Sequence, residues 1–295
     1  MHEALRDPWV AAPSTMGRLR DRAASGLVWL AVGSIAGLFL WILGDLLAHG
    51  AHRLDWSFLV DAPRSAGRAG GIGPILISTL LVLAVCLAVS VPLGTGAAVL
   101  LAEFTSPRDT FGRLVRRSLD VLAGVPSIVF GLFGNAFFCV YLGLGFSVLS
   151  GGLTLACMVL PILIRATEEG FRAVPEEYRT GAAALGMTRT RTLFSLLLPA
   201  ALPGLVAGLV LGIGRALAET AALLFTSGYV DRMPQSLLDS GRVLALHIYD
   251  LSMNVTGGEQ NAYASAVVLV LLLLAINSAA FWISDHWLRR RQGRA

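Results

Sequence analysis

The sequence contains no lysine: all 23 basic residues among its 295 residues are arginine. A Walker A phosphate loop needs a lysine that reaches the β- and γ-phosphates of a bound nucleotide. The chain therefore lacks an ordinary P-loop. ATP and Mg²⁺, if they drive this protein, are expected on a partner chain, and we predict no cofactor bound by this chain itself.

Charged residues of either sign are scarce. They make up 14% of the sequence, whereas soluble domains carry about 25%. Hydrophobic residues make up 55%, and the mean hydropathy is +0.70. These values predict an all-α membrane-embedded protein, and the length suits one helical bundle. The net charge of +4 comes mostly from arginines that flank apolar runs, so no binding to nucleic acid is predicted.

Residues suited to covalent or metal chemistry are also few. Cys86, Cys139 and Cys157 lie inside apolar runs without a C-x-x-C pair, so we interpret them as packing residues. The five histidines do not cluster, and the sequence shows no metal-binding or hydrolase motif. We therefore predict no metal site and no catalytic residue, which makes an enzyme the weakest hypothesis.

Long apolar runs predict six membrane spans, each of about 20 residues. The spans are expected at 27–47, 72–102, 121–142, 153–167, 203–225 and 263–283. Pro92, Gly94 and Gly96 would kink the second span or start a separate half there. The run 121–164 has no charged residue or histidine, so its break is expected in the glycine-rich segment 143–152.

The distribution of arginine predicts the orientation of these spans. Seventeen arginines fall on one side, five fall on the other, and Arg215 lies inside the fifth span. Because arginine accumulates in cytoplasmic loops, both termini are expected in the cytoplasm. The predicted organisation is a cytoplasmic segment 1–26, one transmembrane domain 27–288 and an arginine-rich cytoplasmic tail 289–295.

The stretch 178–203 lies between two long apolar runs and predicts a helical hairpin at the membrane surface. Gly186 would end the first helix in a left-handed conformation. Thr188 would cap a second helix. That second helix is expected to run to Leu198 and to stop at Pro199.

This hairpin resembles the EAA loop of ABC-importer permeases, whose pattern is E-A-A-x3-G-x9-I-x-L-P. The glycine, the spacing and the closing Leu-Pro match, while Thr180 stands where the pattern has Glu. The resemblance implies that loop 175–200 docks on an ATPase subunit; the alternative is a surface hairpin without a partner. The candidate coupling residues are Thr180, Gly181, Ala182, Ala183, Gly186, Leu198 and Pro199.

Two charged residues are predicted inside the fifth span. Arg215 and Glu219 are four residues apart, which would place them on one face of a helix. An ionisable residue near the centre of a span costs roughly 2.5–3.5 kcal/mol on insertion scales, so it usually faces a water-filled path or a partner. With Arg165 at the end of the fourth span, Arg215 would bind an anion that has several oxygens. The alternatives are an internal Arg215–Glu219 ion pair and an Arg165 side chain that reaches the membrane surface.

Small residues form a second edge of the fifth span. Gly204, Gly208 and Gly212 recur every four residues, and such a row lets helices pack closely. This edge is expected to contact a neighbouring helix, in this chain or in a second subunit.

Four further segments resemble the phosphate-specific ABC transporter inner-membrane permease of PstA type. They are LAGVPSIVFGLFG (122–134), PILIRATEEGFRAVPEEYR (161–179), GRALAETAALLFTSG (214–228) and HIYDLSMNVTGGEQNAYASA (247–266). The likeness covers roughly 72–277. It implies a type I ABC importer permease fold in the bacterial inner membrane. It also implies a phosphate path that includes Arg165, Arg215, Glu219 and Thr220.

The resemblance implies partners as well. They are a second permease subunit of PstC type, a dimer of an ATPase subunit of PstB type and a periplasmic phosphate-binding protein of PstS type. Two alternatives stay open on the residues alone. One is an ABC permease for another oxyanion, such as phosphonate, molybdate or sulfate, and the other is an ion-coupled anion transporter.

Overall fold

The computed structural model describes residues 15–106 and 109–292. Arg6, Arg108 and Arg294, which entered the arginine count, lie outside the described residues, as do much of the segment 1–26 and part of the tail 289–295. The chain divides into two compact units between Ala48 and His49.

The described residues are mainly helical. The helices are α1 (Thr15–Gly50), α2 (Trp56–Val60), α3 (Gly73–Glu103), α4 (Thr110–Ala123), α5 (Ser127–Gly134), α6 (Val148–Arg172), α7 (Glu177–Ala184), α8 (Arg189–Thr192), α9 (Leu198–Leu217), α10 (Ala221–Leu224), α11 (Leu244–Met253) and α12 (Glu259–Gln292). A π segment, Asn135–Tyr141, continues α5, and another, Leu193–Leu197, joins α8 to α9. Two short antiparallel strands, β1 (Pro63–Arg64) and β2 (Ala69–Gly70), pair Pro63 with Gly70.

Among the described residues, five helices are long and apolar enough to cross a bilayer. They are α3, α6, α12, the continuous stretch Arg189–Leu217 and most of α1. A sixth crossing requires α4 and α5, which are bent by 100° relative to each other, to count as one span. The predicted all-α membrane fold is confirmed, with five or six crossings.

Helices α3, α6 and α9 form the core of the second unit. Their buried side chains meet in one cluster that includes Val82, Val159 and Ile213. Gly152 of α6 lets α3 approach closely, since a Cβ there would lie 2.5 Å from the Cβ of Val85. Close packing of this kind drives helix association inside a membrane. The shared cluster also holds α6 and α9, which carry Arg165 and Arg215, against each other.

The second span is one continuous helix, α3, with Pro92 inside it. Of the two alternatives predicted for Pro92, Gly94 and Gly96, a kink or a separate half, the separate half is wrong. Pro92 removes a single N–H donor, and membrane helices tolerate this loss when neighbouring helices support the backbone. Gly94 shows that support directly. A Cβ at Gly94 would lie 2.9 Å from Cδ2 of Leu163 on α6.

The predicted third span, 121–142, is wrong at its start. Residues 121–123 belong to α4, and α5 begins after a bend of 100°. Pro126 disfavours the α conformation in Val125, which interrupts the helix. The arginines of α4 also favour the membrane surface over the apolar interior.

The second helix of the hairpin does not stop at Pro199, which corrects the prediction. It continues as Arg189–Leu217 into the membrane, with Leu198 and Pro199 half-buried, and it ends short of the predicted 225. Pro199 lacks the N–H that would bond the carbonyl four residues earlier. The wider turns of the preceding π segment absorb this loss. The second arm of the hairpin is therefore the start of a membrane helix.

Candidate functional site

The glycine edge of α9 packs against α6 of the same chain. Gly204 meets Gly170 backbone to backbone, and a Cβ on Gly212 would lie 2.7 Å from Cγ1 of Val159. Gly208 lies between them and also faces α6. The neighbour of this edge is thus an internal helix, and the two helices that carry the candidate arginines touch along their length.

Arg215 lies half-buried in the last turn of α9. Its Nε is buried and has no hydrogen-bond partner among the described residues. None of the ion pairs in the described part of the chain includes Arg215. Because a guanidinium has five N–H donors, Arg215 has donors left for a ligand.

Glu219 does not share a helix face with Arg215, and that prediction is wrong. Helix α9 ends at Leu217, and the Oε1 of Glu219 accepts the backbone N–H of Ala222 at 3.2 Å. A carboxylate that accepts an N–H in the first turn of a helix acts as a cap. Glu219 therefore starts α10 instead of extending α9. Thr220, half-buried, is the N-cap residue of α10.

Contacts with α5 support the break after α9. The side-chain amide of Asn135 donates to the carbonyl oxygen of Phe225 at 2.8 Å, across 90 residues of sequence. A Cβ on Gly131 would lie 2.8 Å from Cα of Ala222, so α5 and α10 touch backbone to backbone. These contacts hold α10 beside α5, away from the line of α9.

Arg165 binds two groups of α4, the Asp120 carboxylate and the carbonyl oxygen of Arg116. Gly208 of α9 packs beside the turn of α6 that holds Arg165. Arg165 and Arg215 are therefore about seven residues apart along the packed helices, or ~10 Å at about 1.5 Å per residue. Among the described residues, no hydrogen bond or ion pair gives the two guanidiniums a shared partner. Their place on a shared anion path stays a prediction.

A buried carboxylate that the sequence analysis overlooked joins α4 to α6. Glu168 is 3% exposed, and its Oε1 accepts Nε–H bonds from Arg116 at 2.7 Å and from Arg172 at 3.0 Å. Arg116 also donates to the carbonyl oxygen of Leu101 at 2.8 Å. One guanidinium thus connects α3, α4 and α6. The only sequence signal was the spacing of Glu168 and Arg172 by four residues.

The turn of the hairpin forms as predicted. Gly186 has a φ of +67°, and the N–H of Met187 donates back to the carbonyl oxygen of Ala182 at 3.0 Å. This geometry is the Schellman motif, which satisfies carbonyls at the end of a helix. The Thr188 hydroxyl accepts the N–H of Arg191 at 3.3 Å and caps α8, which confirms the second prediction.

The outer face of α7 is open. Thr180, Gly181 and Ala183 are exposed, whereas Ala182 is 2% exposed and faces inward. The Thr180 hydroxyl donates to the carbonyl oxygen of Glu176 at 3.3 Å, within the helix. Small exposed side chains leave the backbone of α7 accessible to another protein.

An ion pair that was not predicted ties α7 to α3. The Nη2 of Arg179 lies 2.6 Å from Oε1 of Glu103, and its Nε lies 3.1 Å from Oε2. The same guanidinium donates to the carbonyl oxygens of Phe171 and Val174, both at 3.0 Å. The hydrogen bond with Glu103 raises the pKa of Arg179. The sequence gives little sign of this pair, because Glu103 precedes Arg179 by 76 residues.

A buried histidine organises the region between α11 and the β-hairpin. His247 is 1% exposed, and a Cβ on Gly67 would lie 2.9 Å from its Cε1. Burial lowers the pKa of His247 to about 4, so the side chain is neutral at physiological pH. The Asn261 amide donates to the carbonyl oxygen of Gly67 at 2.7 Å, which joins α12 to the same turn.

The ligand chemistry of these residues favours anions. Among the described residues, no group of three or more His, Cys, Asp or Glu side chains could hold a metal ion. The polar groups that the candidate residues offer are mainly guanidiniums. Paired guanidinium N–H groups match the oxygen spacing of carboxylates and phosphates.

The sequence matches the family described as "Binding-protein-dependent transport system inner membrane component" over residues 90–293. The chain belongs to this family. It is a transport-system component that crosses the inner membrane several times.

Relatives match this permease over most of its length. It is 29% identical over 281 residues to the probable ABC transporter permease protein YqgI of Bacillus subtilis, covering 90% of this chain and 95% of that one. It is 33% identical over 259 residues to the phosphate transport system permease protein PstA 1 of Mycobacterium tuberculosis, covering 86% and 83%. It is 35% identical over 253 residues to PstA of Mycobacterium leprae, covering 82% of each chain.

Solved structures share the permease fold at low sequence identity. A bacterial alginate ABC transporter in complex with its pentasaccharide-bound periplasmic protein matches with a TM-score of 0.63 and 13% identity, covering 88% of this chain and 95% of that chain. The inward facing MetNI methionine ABC transporter matches with a TM-score of 0.53 and 18% identity, covering 75% and 94%. These matches confirm the predicted type I ABC importer permease fold.

Proposed function

We propose that this permease forms the phosphate path of an ATP-driven importer. Relatives that are 33% and 35% identical are named phosphate transport system permeases. The structural observation that carries the proposal is Arg215, whose buried Nε has no partner among the described residues. A partly desolvated guanidinium binds a phosphate through paired, charge-assisted N–H bonds, which are stronger there than in water.

The path residues have separate tasks in this proposal. Arg215 binds phosphate oxygens at the end of α9. Glu219 holds the start of α10 beside it, and the half-buried Thr220 offers a hydroxyl to the same anion. Arg165, nearer the cytoplasmic end of α6, binds the anion at a different depth in the membrane, where phosphate replaces Asp120 as its partner.

The continuity of one helix supports a coupling route. Arg189–Leu217 is unbroken, so the second arm of the hairpin and Arg215 lie on the same rigid element. The glycine edge presses α9 against α6, and well-packed interfaces transmit displacement. A push on α7 would therefore move Arg215 relative to α10.

The partners follow from the same proposal. A dimer of a PstB-type ATPase hydrolyses ATP with Mg²⁺ and docks on the open face of α7. A PstC-type permease completes the path, and a PstS-type protein delivers phosphate on the outer side of the membrane. Both termini face the cytoplasm. The family description, with its binding-protein-dependent transport, supports this assembly.

Uptake of radiolabelled phosphate by the complete transporter in liposomes tests the proposal. We expect Arg215→Gln to lower ATP-dependent uptake at least tenfold with assembly intact. The matched control is Arg232→Gln, which removes an exposed arginine from the connection between α10 and α11; it should transport like wild type. Unchanged uptake in R215Q would refute the role of Arg215.

Two further arms of this assay separate the alternatives. Excess sulfate, molybdate or phosphonate should compete poorly with phosphate for uptake. Strong competition by one of them would identify that oxyanion as the substrate. Phosphate flux through the permease without the ATPase would instead indicate an ion-coupled transporter or a channel.

A further inference from the structure

Helix α4 presents two different stripes to its surroundings. Phe111, Leu114 and Val121 are 54%, 63% and 70% exposed, and they cluster on a helical wheel of about 100° per residue. Arg113 and Arg117 are also exposed and lie on a separate stripe, roughly 90° away on the same wheel. One stripe is apolar and the other is basic.

The third side of α4 anchors it to the bundle. Leu119 is 7% exposed and packs with Ala98 of α3 and Ile164 of α6. The bend of 100° turns α4 away from the apolar α5. A helix with adjacent apolar and basic stripes that does not itself cross the bilayer lies between acyl chains and headgroups. The topology of the proposed function, on which this inference rests, places it at the cytoplasmic leaflet.

A cavity of about 440 Å³ opens between α4 and α6. Its charged lining consists of Arg113, Arg116, Arg117, Arg165, Arg172, Asp120, Glu168 and Glu169. Five guanidiniums face three carboxylates, which leaves two positive charges in excess. The cavity is thus complementary to an anion.

Several donors around this cavity are unused. Glu168 forms ion pairs with Arg116 and Arg172, and Asp120 pairs with Nη2 of Arg165 alone. Arg165 Nε is buried without a partner among the described residues. Arg113 and Arg117 have no carboxylate partner in the described part of the chain. Free guanidinium donors in one cavity suit the oxygens of a phosphate group.

We propose that this cavity binds the headgroup of an anionic phospholipid. Its phosphodiester contacts Arg113 and Arg117, and its acyl chains lie along Phe111 and Leu114. Basic pockets between helices on the cytoplasmic side of membrane proteins bind such headgroups. The apolar stripe favours a lipid over free phosphate, because a free anion makes no contact with it.

Native mass spectrometry of the complete transporter in detergent tests this site. The retained lipid is counted while phosphatidylglycerol or phosphatidylcholine is titrated. We expect R113Q/R117Q to weaken retention of phosphatidylglycerol at least tenfold without changing that of phosphatidylcholine. The matched control, R20Q/R22Q, removes two exposed arginines of α1 on the same predicted side of the membrane and should behave like wild type.

Each other outcome overturns the proposal. Equal retention of phosphatidylglycerol by wild type and R113Q/R117Q would show that the cavity is not the site. An equal loss in R20Q/R22Q would indicate general charge attraction. Displacement of the lipid by millimolar inorganic phosphate would show that the cavity takes the free anion.

The readout is independent of transport, and it distinguishes loss of the lipid from loss of assembly. No nucleotide enters the assay, so it stands even if the uptake test of the proposed function fails. The intact mass reports assembly of each variant. If R113Q/R117Q does not assemble, Arg117→Gln alone replaces it, with at least a threefold loss expected.

Discussion

Arg179 lies in the hairpin and Arg215 lies at the far end of α9. The two guanidiniums differ in how many of their N–H donors have a partner. Arg179, in the hairpin, donates to both oxygens of Glu103 and to two backbone carbonyls. Arg215, at the far end of α9, has a buried Nε without a partner among the described residues. A guanidinium whose donors are used holds structure, whereas one with donors left over is available to a ligand. The hairpin arginine is therefore committed to structural contacts, whereas the arginine at the end of α9 keeps N–H donors that a ligand could use.

Removing the paired arginine should have the largest effect on stability. Arg179→Gln leaves the Glu103 carboxylate, 14% exposed, without its partner. Hydrogen bonds to charged groups contribute about 1.5–3 kcal/mol, and we expect a loss of that size. Arg215→Gln breaks no ion pair among the described residues, so it should cost less stability than Arg179→Gln.

Thermal unfolding of the purified permease in detergent measures both variants. The exchange E103R/R179E should recover part of the loss, because it restores the pair with opposite polarity. Equal destabilisation by R179Q and R215Q would abolish the distinction between the two arginines.

The next largest loss of stability is expected at the contact between α6 and α9. A Cβ on Gly204 would clash with Cα of Gly170 and would lie 2.9 Å from the carbonyl oxygen of Ala166, backbone atoms that cannot swing away. We expect Gly204→Ala to cost about 1–3 kcal/mol, as overpacking does. The control is Gly96→Ala on α3, where a Cβ meets nothing within 4 Å. A G204A variant as stable as G96A would show that the α6–α9 contact at Gly204 has room for a methyl group.

His247 is a buried titratable side chain that is neutral in the folded protein, unlike the charged and paired Arg179. Its pKa is about 4 in the folded protein and 6.5 in an exposed chain. The unfolded chain therefore binds the proton more readily between these values. Stability should be fully present above pH 6.5 and fall toward pH 4, by at most about 1.4 kcal/mol per pH unit.

Unfolding midpoints at pH 7.5 and pH 5 test this expectation. The difference between the two midpoints should be smaller in His247→Leu than in wild type. If both proteins lose the same stability on acidification, another group is responsible.

The smallest effect is expected at the hairpin turn. Thr188→Ala removes the side-chain oxygen that accepts the N–H of Arg191. Loss of such a cap costs about 0.5–1 kcal/mol at an exposed site. Thr188→Ser keeps the oxygen and is the matched control. The comparison of unfolding midpoints should separate the two variants, and identical midpoints would mean that the cap does not stabilise the hairpin.

Features that depend on near neighbours were predictable from the sequence. Gly186 adopts the left-handed conformation and Thr188 caps α8, because both roles involve atoms only a few residues away. Apolar length similarly located α3, α6 and α12. The absence of charge in 121–164 marked a membrane segment, although a pattern of composition could not show the bend at Pro126.

Arrangements that join distant segments needed the folded chain. Helix propensity alone would extend α9 through Ala218 to Leu224. The folded chain ends α9 at Leu217 instead, because Glu219 caps α10 and Asn135 bonds the carbonyl oxygen of Phe225. A straight helix would not place these groups within hydrogen-bond distance.

The same limit applies to the charges. Composition and apolar length established a lysine-free membrane bundle with arginine at its edges, because transfer of side chains into a bilayer depends on each residue separately. Which arginine is paired and which is free depends on atoms far apart in sequence, such as Glu103 and Arg179, whose approach is set by the packing of α3, α6 and α7. The same holds for Arg215, whose buried Nε has no partner among the described residues, a fact that only the folded chain shows.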